Sequence, residues 1–278
     1  MAVTFDDLPV HGALPAGMTR IQIAQSILAT LKREQLPAVY GFVNGKRGEA
    51  DPPSLAALQA WRVAGQPLGN HTWAHLDLNQ ESAEEFEAEV LRNEPLLQSL
   101  MGKEDWHWLR YPFLHEGDSV EKRRAVRAWL SAQRYKIAQV SMDFEDYLWN
   151  EPYARCLDKH DEASIRKLHD SYLAVADRYY GLSRQLSQLV YGRDVKYVLL
   201  MHVGAFDARM LPELVALYRA KGVSFVTLRD AMSDPAYQDD PDIGEPSGGT
   251  FLELMMQKKQ LKFPVNTKPY KELEAMCR

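Results

Sequence analysis

Short apolar runs alternate with longer amphipathic stretches along most of this chain, and that rhythm is its clearest signal. Runs at 2–5, 38–43, 66–70, 106–110, 136–140, 197–202 and 223–227 read as strands. Between them, stretches near 19–34, 54–64, 83–100, 119–132 and 209–221 repeat apolar residues at helical spacing. Two helices open on capping signals, Ser82-x-x-Glu85 and Asp118-x-x-Glu121. Strands regularly separated by helices require a parallel sheet with right-handed crossovers. About seven parallel strands predict an α/β fold, a distorted or incomplete (β/α) barrel.

Two segments break the rhythm. Residues 150–194 form an insertion between two strands, mostly helical from about 162 to 190, expected to shape one wall of a cleft. After Ser233 the chain is rich in Asp, Pro and Gly as far as Gly249, then closes on a short helical pattern. The expected organisation is a domain over 1–232 carrying the insertion, and a tail over 233–278 packed on it or extending from it. Asp239-Asp240-Pro241-Asp242 lacks the glycine and final glutamate of a calcium loop, so it reads as a solvated acidic turn.

Composition narrows the function. The chain has 278 residues, 46% hydrophobic and 26% charged, ordinary for a globular protein. A net charge of −5 argues against a nucleic-acid footprint. The basic run Lys122-Arg123-Arg124 reads as a solvated helix face. No apolar run approaches the roughly 18 residues of a membrane span. Cys156 and Cys277 form no disulfide framework or zinc knuckle and read as two free thiols, with a lone disulfide as the alternative in an oxidising compartment. No leader precedes the first strand. That fits a periplasmic or secreted protein whose leader has been removed, and a cytoplasmic one as well. Nothing in the pattern sets the oligomeric state.

Candidate chemistry gathers at the carboxyl ends of the strands, where parallel α/β folds carry their sites. Asp6 and Asp7 follow the first strand, and two acids there need a cation or a proton to offset them. His71 and His75 follow the third strand at a spacing that lets both rings face one way. One carboxylate and two imidazoles make a three-ligand metal site with an open position, leaving the other carboxylate as a base. His202 ends the sixth strand as a candidate proton donor. Arg110 leaves the fourth, placed to hold a carboxylate ionised. Asp143, Glu145 and Asp146 add acids nearby. His11, His107, His115, His160 and His169 show no partner pattern and read as structural or exposed.

The order T-F-D-D, H-T-x-x-H, R-Y-P-F, D-x-x-D-Y, L-M-H over residues 2–232 resembles the five motifs of the polysaccharide deacetylase family, the NodB-homology group of carbohydrate esterases. The resemblance implies a distorted (β/α) barrel and hydrolysis of an N-acetyl or other N-acyl group, a carbon–nitrogen bond other than a peptide bond. Its substrate would be a small molecule or an oligosaccharide, most readily an amino sugar of chitin-like or peptidoglycan-like chains. It also implies one divalent ion, zinc first, with cobalt, nickel or manganese as alternatives. By motif, Asp7, His71 and His75 would bind the metal, with Thr72 steadying their loop. Asp6 would be the base, paired with Arg110, and His202 the acid, supported by Asp146. The Phe113 backbone N–H would face the oxyanion, and Tyr147 and Leu200 would wall the acyl pocket. The chain departs from the pattern at Leu8, where the family has glycine, so the turn beside the metal is expected to differ. Tyr147 stands where tryptophan is frequent. The long insertion disfavours an extended polymer. Acetyl-ester hydrolysis, as on acetylated xylan, a small non-sugar amide, and a non-catalytic glycan-binding module are the alternatives.

Overall fold

The computed structural model describes residues 1–50, 52–264 and 268–278. Six parallel strands make one sheet: β1 Ala2–Leu8, β2 Tyr40–Val43, β3 Leu68–Asn70, β4 Trp108–Leu109, β5 Lys136–Ile137 and β6 Val198–His202. Their order is β5-β4-β3-β2-β1-β6. Every residue of β1 and β6 is buried, which explains why these strands are apolar without alternation. Beyond β5 the chain swings round to the opposite edge of the sheet. There the Met142 N–H donates to the Val198 carbonyl at 3.1 Å, and the Leu200 N–H donates to the Met142 carbonyl at 3.0 Å. The outer edges meet through this one isolated bridge, and the sheet is an incomplete, distorted barrel.

The seventh expected strand, 223–227, is not one. Both edges of β1 are taken by β2 and β6. The segment therefore touches only the start of the sheet, where the Val226 N–H donates to the Met1 carbonyl at 2.9 Å. Thr227 then caps the helix Leu228–Met232 and ends it. The helices expected from periodicity form over Arg20–Arg33, Pro52–Val63, Ala83–Met101, Val120–Ala132 and Ala205–Ala220. Ser82 and Glu85 do make a capping box, whereas Ser119 rather than Asp118 caps the helix at Val120.

The basic run at 122–124 and the acidic turn at 239–242 are not independent solvated surfaces, as expected from sequence; they bind each other. Arg123 is 1% exposed and pairs with Glu116 at 2.9 Å and Asp240 at 2.5 Å, while Arg124 grips Asp242 at 2.5 Å. The insertion helix Glu162–Tyr191 packs on Ala205–Ala220 and on the tail helix Phe251–Lys258. The tail, described apart from 265–267, continues back across the strand ends. Arg155 holds the carbonyls of Leu273 and Met276. Cys277 is joined to Cys156 across a Cα separation of 5.2 Å. The two free thiols expected from sequence are therefore a disulfide. The returning tail brings together positions 121 residues apart, which spacing could not disclose.

Candidate active site

In a regular strand Asp6 and Asp7 would point to opposite faces. Here the pairing of β1 with β2 shifts register between Phe5 and Leu8, and Asp7 adopts a left-handed φ of 60°. Both carboxylates thereby line one cleft, 2% exposed each. Leu8 does not become the turn. It stays in β1, 2% exposed, so the left-handed residue is Asp7 itself.

His71 and His75 sit on the loop after β3, whose backbone is held by three buried asparagines. Asn44 donates to the His71 carbonyl at 2.7 Å. Asn93 donates to the Val43 carbonyl at 2.7 Å and to Asn70 Oδ1 at 3.0 Å. The same Asn70 oxygen accepts the Thr72 N–H at 2.9 Å, and the Thr72 hydroxyl accepts the Leu76 N–H at 3.0 Å. Thr72 and His75 take left-handed φ values of 61° and 59°, as do Phe113 and Leu114 (58° and 57°) and Glu145 (57°) around the same cleft. Such backbone persists only where its surroundings over-determine it.

Among the described residues, two sets of donors share Asp7: one with His71 and His75, the other with His11 and His202. Ligand atoms at 2.0–2.1 Å from a tetrahedral ion lie about 3.3 Å apart. Asp7 Oδ1 is 3.6 Å from His71 Nε2 and 3.3 Å from His75 Nε2, near that spacing. It is also buried with no hydrogen-bond partner, a costly state that a cation relieves. His71 Nδ1 faces the Arg110 carbonyl at 2.8 Å and so carries the proton, leaving Nε2 a lone pair. Burial holds His71 well below its ordinary pKa, neutral as a ligand must be. In the other set, His11 Nδ1 is only 2.5 Å from Asp7 Oδ2, a hydrogen bond rather than a coordination edge. The donor set of Asp7, His71 and His75 fits a divalent ion.

Asp6 is the register partner of His202 across β1 and β6. Arg110 Nη1 reaches both Asp6 oxygens, at 3.1 and 3.2 Å. Burial pushes the Asp6 carboxyl up, Arg110 and His202 pull it back, and it settles at about 7. Burial also opposes the charge of Asp7, but the His11 hydrogen bond and the facing histidines hold it far below the usual carboxylate range. Asp146 accepts from His202 twice, from Nδ1 and from the backbone N–H, each at 2.7 Å. Burial alone would favour a neutral ring; Asp146 overrides it and His202 rises to about 10. Behind them Asp207 is fully buried, its oxygens accepting from Asn150 at 2.7 Å and Tyr172 at 3.1 Å. Burial and the charge of Asp146 push it well above the carboxylate range. A Cβ at Gly204 would come within 2.2 Å of Asn150 and 2.3 Å of Asp207, so only glycine admits this pair.

A profile for polysaccharide deacetylase matches residues 1–129. A curated relative, the peptidoglycan-N-acetylglucosamine deacetylase of Bacillus cereus, is 27% identical over 149 residues, 53% of this chain. Over its first 129 residues the chain is similar to the polysaccharide deacetylase family. It spans 46% of that relative's length. The solved chitin deacetylase of Colletotrichum lindemuthianum shares the fold at a TM-score of 0.58 and 21% identity, covering 84% of this chain and 87% of that one. A Bacillus anthracis protein described as a pseudoenzyme of carbohydrate esterase family four has the same fold, with TM-score 0.55 and 14% identity, covering 84% and 64%.

Within this fold, the cleft is a cavity of about 690 Å³. Phe113, 56% exposed, stands with its ring 4.5 Å from that of His75, and Tyr147 stands 5.1 Å from His202. Leu200 lines the floor. The expected wall from the insertion is not there: the far wall comes from the tail, through Glu245, Gly248, Glu253, Phe263 and Lys268. The insertion instead packs behind His202 and Asp146, where Asn150 and Tyr172 reach Asp207. Lys268 and Tyr270 fasten the tail to Glu145, at 2.8 and 2.6 Å. Sequence reasoning also missed His11 and His115, both of which line the cavity.

Proposed function

We propose that this chain removes an N-acetyl group from an amino sugar of a chitin-like or peptidoglycan-like oligosaccharide. The observation that carries the reading is the division between adjacent carboxylates. Asp7 presents a bare oxygen to two histidines, while Asp6 is withheld on Arg110 beside His202. A divalent ion, zinc first, held by Asp7, His71 and His75 would supply Lewis-acid polarisation of the acyl group and a more acidic water. Asp6 takes the proton as water oxygen bonds to the acyl carbon. The Phe113 backbone N–H supports the charge that develops on the acyl oxygen. His202, charged and oriented by Asp146, gives its proton to nitrogen as the C–N bond breaks, releasing acetate and a free amine. Tyr147 and Leu200 shape the space for the acyl methyl.

The tail wall favours a short or terminal sugar over a long polymer laid across an open groove. Acetate release should be measured on chitooligosaccharides of graded length, acetylated xylan and simple anilides, beside metal content. His71→Ala is expected to lose metal, and Asp6→Asn to keep metal and lose turnover. Full activity in Asp6→Asn overturns the assignment. Turnover of xylan or anilides alone moves the chain to an ester or a small amide. No turnover on any substrate leaves a glycan-binding module.

A further inference from the structure

His11 carries no signature in the sequence, yet it is placed with care. Its backbone N–H donates to the Val203 carbonyl at 2.9 Å, tying the segment after β1 to the end of β6. Its ring stands 5.3 Å from Tyr147 and 4.6 Å from His202, so it is braced by rings as well as by backbone. From there Nδ1 meets Asp7 Oδ2 at 2.5 Å, while Arg47 Nη1 is 3.5 Å from the same oxygen. The two oxygens of Asp7 are thus in different employment: Oδ2 is engaged, and Oδ1 has no hydrogen-bond partner and faces His71 and His75.

We propose that His11 is a positioning residue of the metal centre, which fixes Oδ2 of Asp7 so that Oδ1 alone is presented to the ion. The proposal rests on the reading of Asp7, His71 and His75 as the ligand set. A carboxylate on an irregular strand end can rotate, turning both oxygens toward a cation or neither. A donor on the outer oxygen removes that freedom before the ion arrives. Hydrogen-bond partners of this kind typically hold 10–100-fold of a site's metal affinity.

Two substitutions separate the hydrogen bond from the ring. His11→Phe keeps an aromatic ring beside Tyr147 and His202 but has no donor. His11→Asn drops the ring but puts an amide nitrogen close to where Nδ1 lies. Zinc affinity of the full chain, measured by competition with a chromophoric chelator, is expected to fall roughly 10–100-fold in His11→Phe and to stay within about threefold of the parent in His11→Asn. One zinc per chain is expected in all three. Parental affinity in His11→Phe overturns the proposal, as does an Asn variant as weak as Phe, which would make ring packing the cause. Two zincs in the parent and one in His11→Phe would make His11 a ligand and overturn it too. A parent that binds no zinc sinks the ligand set itself, a failure visible before any variant is made.

Discussion

Arg110 spends its whole guanidinium in one direction. Nη1 grips both oxygens of Asp6, Nε donates to the Ala138 carbonyl at 2.7 Å, and Nη2 donates to the Thr4 hydroxyl at 3.1 Å. The cation that keeps Asp6 ionisable is thereby fixed by two neighbours that it does not share with solvent. Lysine cannot reproduce this fork. Because the value of about 7 already includes the lowering by Arg110, loss of that cation moves the pKa further up. Arg110→Lys is therefore expected to move the acid limb of the acetate-release profile to higher pH. Activity below the limb should fall about tenfold per unit of movement. An unmoved limb would separate Asp6 from the base role.

On the proposed mechanism the other limb belongs to His202. Asp146 lifts that ring to about 10 against burial. In Asp146→Asn the main opposition to burial is gone and only the charges of Asp7 and Asp6 still raise the ring, so the alkaline limb should descend toward the ordinary imidazole value. Stability follows the same sign. A folded pKa above the unfolded one contributes stability that is complete below the unfolded value, about 6.5, and is lost as pH rises through about 10. Urea midpoints of parent and variant should differ most near pH 6 and converge above pH 10.

Asn44 holds the His71 carbonyl from a different strand's end, with no solvent to replace it. Asn44→Ala leaves that carbonyl and its neighbours short of a donor. It is expected to destabilise the fold by about 1–3 kcal/mol. The denaturant midpoint should fall, and zinc affinity with it, because the loop it fixes carries both histidines. A lower midpoint with unchanged zinc affinity would confine Asn44 to the scaffold.

The disulfide closes a loop of more than a hundred residues around the far wall of the cavity. Cys156→Ser is expected to cost about 2–5 kcal/mol, a drop of roughly 5–15 °C in thermal midpoint, and reductant should do the same to the parent. With Lys268 and Tyr270 less firmly held on Glu145, KM should rise more than kcat falls. Calorimetry with and without reductant, beside steady-state kinetics, checks both.

The legible residues were those whose place is set by strand ends. Asp6 and Asp7 lie near the end of β1, His71, Arg110 and His202 each follow or close a strand, and a parallel sheet brings those ends together wherever they lie in the chain. His11 was opaque because its contact depends on the left-handed turn at Asp7, which a period-two pattern does not encode. Asn44, Asn150 and Asp207 were opaque for another reason: each serves a backbone group or a second acid that comes near only after folding. Charge was misread locally as well. Arg123 and Asp240 each resembled a solvated surface because each was read without the other. The same holds for Cys156 and Cys277. The strand count failed at 223–227 because an apolar run signals burial, not an available edge.

The left-handed backbone at Asp7, Thr72, His75, Phe113, Leu114 and Glu145 has a consequence for how this sequence can change. Each non-glycine residue in that conformation costs about 1–2 kcal/mol. Phe113, on an exposed turn, could give way to glycine and relax the chain, yet the bulky side chain remains. Relaxing these positions in favour of thermal stability would erase the cleft. Six such residues around one cavity set the direction in which robustness and chemistry oppose each other in this protein.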